Sequence, residues 1–205
     1  MKILFALLFF AELSLAAAEQ PLTCQMLLSE KEQKDMGFDR QRAMYPRARA
    51  KRLAAMSLRD GMAFLDRKDL DKAMLEFNRA WRFDPADPFP YWMAGIVRGI
   101  EAAQLTDPGL RKKCYADSLS LFEKADVILR ASSDGTLKEN FAMDRAEALI
   151  QYGVFLKKDH PEQAEQRFRE AETLLAGIVP KQDTRGKQVA ERIRKMRDRI
   201  RTARQ

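Results

Sequence analysis

Apolar residues along this chain recur at intervals of three and four in runs several turns long, and short stretches rich in Asp, Pro, Gly and Ser separate the runs. That spacing puts the apolar positions on one face of an α-helix. It predicts a helix restarting just after Pro46 and continuing into Phe64, then a second that carries Ala73, Phe77 and Ala80 and is closed by Pro85. Further helices are expected at 90–104, Leu110 to Ala131, Leu137 to Lys158 and Glu162 to Ala176. Their breaks are Thr106-Asp107-Pro108-Gly109, Ser132-Ser133-Asp134-Gly135 and Asp159-His160-Pro161. After Pro180 and Gly186 a last helix, Lys187 to Arg204, carries Val189, Ile193, Met196, Ile200 and Ala203 as a narrow stripe of heptad type.

Within Ser57 to Pro85 the small and aromatic residues are placed as two crossing helices need them. Gly61 offers no side chain at the crossing and Phe64 fills the space above it; Ala73 and Ala80 let the second helix approach, with Phe77 as the knob between them. Gly95 follows Gly61 by 34 residues, with Tyr91 in the aromatic place before it. Ser118, Phe122 and Ala125 then repeat the intervals of Ala73, Phe77 and Ala80, eleven residues late, and Ala164, Phe168 and Ala171 repeat them again. Tyr152, Gly153 and Phe155 supply the matching first-helix marks, with Gly153 displaced by one.

These marks resemble the W-x2-L-G-x2-Y…A-x3-F…P pattern of tetratricopeptide repeats. Ser57, Asp60 and Arg98 depart from it, standing where Trp, Leu and an aromatic are expected. The resemblance implies an all-α superhelix of about three helical hairpins with a C-terminal capping helix. It also implies a protein-binding groove along the first helices, lined by Leu58, Met62, Leu65, Trp92, Ile96, Leu149 and Leu156. Such an apolar stripe needs cover, either from a partner's peptide or helix or from the chain's own stretch Leu22 to Met36.

The organisation expected is a signal peptide over 1–18, an N-terminal helical segment over 19–53, the repeat domain over 54–180 and a basic helix over 181–205. Lys2, the apolar run Ile3 to Phe10 and the small residues Ala16-Ala17-Ala18 have the form of a cleaved secretory signal, and the run is short for a membrane anchor. Export to a periplasm or beyond would permit a disulfide between the two cysteines, Cys24 and Cys114; buried free thiols and a lipidated Cys24 are the alternatives.

Charge sharpens the picture at one end. The net charge is +7, and residues 181–205 alone hold ten Lys or Arg against three Asp or Glu, so the rest of the chain sums to zero. Arg192, Arg194, Lys195, Arg197, Arg199 and Arg201 could keep a capping helix wet, meet an anionic membrane surface or acidic protein, or flank a seam with a partner helix. The basic segments lack interleaved aromatics, so no nucleic-acid partner is expected. His160 is the one histidine, placed in a turn, and phosphate loops, metal-spaced cysteines and zinc-protease motifs do not occur. No catalytic residue, metal or cofactor is expected. The reading is a non-enzymatic adaptor.

Overall fold

The helix starts follow from aspartates that satisfy otherwise unpaired backbone N–H groups. In a computed structural model describing residues 45–180 and 183–205, Asp69, Asp107, Asp134 and Asp183 accept from the backbone N–H three residues on, and Asp87 from Phe89 two residues on. Pro88, Pro108 and Pro161 open three of the helices, where a missing N–H costs nothing. The described residues form α1 (Arg47–Asp66), α2 (Leu70–Phe83), α3 (Pro88–Gln104), α4 (Pro108–Leu129), α5 (Gly135–Leu156), α6 (Pro161–Ala176) and α7 (Thr184–Arg204). Helices α3, α4 and α5 each begin two residues before the apolar pattern does, because the caps rather than the first core residue set the start. The expected division at 53/54 falls inside α1, which runs through it unbroken.

Consecutive helices pair as hairpins, α1 with α2, α3 with α4 and α5 with α6. Each pair crosses at a glycine facing a phenylalanine. A Cβ on Gly61 would lie 2.6 Å from the Phe77 ring, one on Gly95 3.0 Å from Phe122, and one on Gly153 2.6 Å from Phe168. Ala73, Ala80, Ala125, Ala164 and Ala171 are buried beside these rings. Phe64 lies half-buried at the end of the first hairpin, with the Lys72 ammonium 5.6 Å above its ring, and Pro85 is half-buried in the turn after α2.

The crossing sites make a testable contrast. Alanine improves intrinsic helix propensity over glycine by about 1 kcal/mol, whereas overpacking a closed core costs about 1–3 kcal/mol. At Gly61 and Gly153 the phenylalanine rings are buried and cannot withdraw, so Gly61→Ala and Gly153→Ala should each lower the urea midpoint. Gly95→Ala, with its looser fit, should change it least.

The hairpins stack so that α1, α3, α5 and α7 touch in succession as one row of first helices. Helix α2 packs on α3, α4 on α5 and α6 on α7. Helix α7 thus occupies the place of a first helix in a further hairpin, burying Val189, Ile193, Met196 and Ile200 against α5 and α6.

Candidate functional site

The row of first helices gathers the polar groups that stand out from this core. Trp92 on α3 is 2% exposed, stacks on Phe89 and meets Phe141 of α5 edge-on. Its indole Nε1–H donates to Asp144 Oδ2 of α5 at 3.1 Å. The other oxygen, Asp144 Oδ1, accepts from Arg192 of α7 at 2.7 Å. One turn further on, Glu147 accepts from Arg199 of α7 and from Gln151 on its own helix. Asp144 therefore ties α3 to α7 across α5, and Glu147 adds a second bond from α5 to α7. Beside them a recess of about 20 Å³ opens between α3 and α5, bounded by Ile96, Gly99, Ile100, Asp144 and Gln151.

Burial raises the Asp144 carboxyl above the ordinary aspartate range, with Glu147 adding to the rise and with Arg192 and the Trp92 N–H opposing it. Glu165 of α6, held by Arg204 and Arg169, is lowered instead. The two groups consequently contribute to stability with opposite signs. A raised acid stabilises the fold below its unfolded value of 3.8 and loses that contribution as pH rises through its folded value. A lowered acid stabilises above 4.5 and loses the contribution as pH falls. The stability of the wild type relative to Asp144→Asn should thus decline as pH rises above 3.8, while that relative to Glu165→Gln should grow as pH rises towards 4.5. Urea unfolding as a function of pH checks both signs.

The expected groove residues divide into two groups. Leu58, Met62, Leu65 and Ile96 are half-buried on the first-helix row. Trp92, Leu149 and Leu156 are instead core residues at 2%, 2% and 1% exposure, which corrects their assignment as groove lining. Leu149 and Leu156 lie four before and three after Gly153, on the stripe that crosses α6, and Trp92 is turned towards α5 by its bond to Asp144.

The basic residues of α7 divide as well, between carboxylates on α5 and α6 and pairs along α7 itself. Arg192 and Arg199 are spent on Asp144 and Glu147, and Arg204 on Glu165 and Glu172. Arg194 and Lys195 pair with Glu191, and Arg201 with Asp198, all on α7 itself. Arg197 lines an open cleft of about 570 Å³ at the ends of α6 and α7. His160 is the residue before α6, but its side chain makes no capping bond, and its Nε2 lies 3.3 Å from Lys112 Nζ.

Cys114 is fully buried on α4 and disulfide-bonded. Cys24, the expected signal segment 1–18 and the stretch Leu22 to Met36 lie outside the described residues. Sequence reasoning passed over Asp144 and Glu147, and treated Arg98 only as a departure. A signal existed: the polar residues Asp144, Glu147 and Gln151 interrupt the apolar run of α5, and Arg192 and Arg199 lie seven apart on one face of α7. Among the described residues, no group of His, Cys, Asp and Glu could hold a metal ion, and no helix is long and apolar enough to cross a membrane.

The class this geometry defines is an array of antiparallel helical hairpins closed by a seventh helix. No family model, curated protein or solved structure matches the chain.

Proposed function

We propose that this chain is a non-enzymatic scaffold of tetratricopeptide type, exported to the cell envelope, which holds a partner's peptide or helix along the row of first helices. The observation that carries the reading is the glycine-to-phenylalanine crossing repeated in all three hairpins, with Gly61 and Gly95 at the 34-residue period. It leaves Leu58, Met62, Leu65, Ile96 and Ile100 half-exposed on one row, an apolar strip beside the carboxylates of Asp144 and Glu147. A partner would lay apolar side chains on the strip and be held in register by the polar recess.

A photoreactive residue at Met62 or Ile100 should give a defined partner adduct in cells, and one at Val127, which is 65% exposed on α4, should not. Ile96→Asp should weaken that partner at least tenfold, about 1.4 kcal/mol, in protein whose far-UV circular dichroism shows that it remains folded. Retention of the partner at full affinity by a folded Ile96→Asp protein would sink the reading.

A second reading rests on the outward face of α7, where Arg194, Lys195, Arg197 and Arg201 remain exposed. It predicts sedimentation with anionic vesicles that is lost on raising salt and on neutralising those four residues, with the groove variant unaffected.

A further inference from the structure

Helix α7 stands where a hairpin begins but lacks the helix that would finish one. Helices α1, α3 and α5 each pair with the helix that follows, whereas α7 touches α5 and α6 and, among the described residues, has no second helix of its own. Its buried stripe, Val189, Ile193, Met196 and Ile200, is flanked by two rows of arginine. Arg192 and Arg199, seven residues apart, reach Asp144 and Glu147 of α5. Arg194 and Arg201 repeat that step two residues on, about 200° round the helix, and so point away from α5.

This second row lines a trough. An open cleft of about 570 Å³ bounded by Glu172 and Ala176 of α6 adjoins another of about 260 Å³ bounded by Ile178, Pro180 and Ala190. Arg197 and Arg201 belong to both, which makes the two continuous along α7. From Ala190 to Arg204 the trough runs about 20 Å, at about 1.5 Å per residue, or about four turns of a helix. Val179, between two of its lining residues, is 78% exposed, the most of any large apolar side chain among the described residues. The arginines here are poorly matched from within. Arg197 has no carboxylate among the described residues. Arg194 and Arg201, with side chains 63% and 72% exposed, pair only with Glu191 and Asp198 on α7 itself. Exposed pairs within one helix are weak and exchange readily for a better acceptor.

We propose that the trough between α6 and α7 receives an acidic amphipathic helix of another protein, which stands to α7 as α2 stands to α1 and completes a fourth hairpin. The molecule shows the required pattern on α5, where carboxylates one turn apart, Asp144 and Glu147, meet arginines seven apart on α7 beside an apolar stripe. A helix in the trough presents carboxylates at that spacing to Arg194, Arg197 and Arg201 and lays its apolar side over Ala176 and Ala190. An anionic bilayer is the poorer fit. Its phosphates lie in a plane, whereas these arginines line a concavity that also holds Glu172 and Asp198, which repel phosphate. The trough is separate from the row of first helices, so the inference stands whatever the strip at Met62, Ile96 and Ile100 binds.

Two measurements on the full chain test this. In cells, a photoreactive residue in place of Arg197 should form an adduct with another polypeptide, at a segment that carries Asp or Glu three or four residues apart beside apolar residues. The same residue in place of Lys195, which does not line the trough, should not form it. In solution, a synthetic alanine-based helix of about four turns, with glutamates one turn apart beside leucines, should bind at least tenfold more tightly than its Gln-for-Glu counterpart. Ala176→Trp, an exposed position that fills the trough from α6 without altering any charge, should weaken that binding at least tenfold. Arg197→Glu should do the same, read on protein with an unchanged thermal midpoint. The absence of any adduct, an adduct with lipid, with a second copy of this chain or with a segment lacking carboxylates, equal affinity for the two helices, or full binding by both variants would each overturn the proposal. Sedimentation with phosphatidylserine vesicles by a protein that ignores the acidic helix would also overturn it and give these arginines to the membrane. Loss of the partner at Met62 and Ile100 counts against the row of first helices alone.

Discussion

Deleting residues 183–205 should make the protein aggregate. Val189, Ile193, Met196 and Ile200 are each at most 5% exposed, and burial of such side chains is worth about 1.5–3 kcal/mol apiece. Even after the entropy of freeing α7 is set against them, the loss is a large share of the about 5–15 kcal/mol that holds a domain together. The deletion also strands Asp144 and Glu147 in a half-closed site without Arg192 and Arg199. Size-exclusion chromatography and thermal unfolding decide the matter. A monomer with an unchanged midpoint would show that α7 is not a structural cap.

Phe122→Ala should be the most damaging single truncation, at about 3–5 kcal/mol. Its ring is fully buried, fills the crossing at Gly95 and also leans on Phe141 of α5 at 5.8 Å, so its removal opens a void shared by two hairpins. Phe77 and Phe168 are buried at the other two crossings. Equilibrium urea unfolding measures the difference; a cost below about 1 kcal/mol at Phe122 would mean that the site collapses freely.

Much of the architecture was legible because its determinants are local. A glycine, two alanines and a phenylalanine at set intervals report a close crossing whatever surrounds them, and Asp-Pro turns announce the breaks. Leu149 and Leu156 were misplaced because the pattern shows which residues are apolar and not which of two buried faces they serve; that depends on the rotation of α5, fixed by Gly153 meeting Phe168. Asp144 was invisible for a different reason. Its partners, Trp92 and Arg192, lie 52 and 48 residues away and only the stacking of α3, α5 and α7 brings them together. Arg192 and Arg199 read as surface charge for the same reason, since nothing near them in sequence names the carboxylates they meet.

The separation in sequence of these contacts bears on how the molecule assembles. The crossings join residues 16, 27 and 15 apart, from Gly61 to Phe77, Gly95 to Phe122 and Gly153 to Phe168, whereas Arg192 and Arg199 reach back 48 and 52 residues. Loops that close early cost least entropy, so each hairpin can form on its own before the stack is complete. Docking of α7, which spans the longest separations among these contacts, is therefore expected to follow formation of the hairpins.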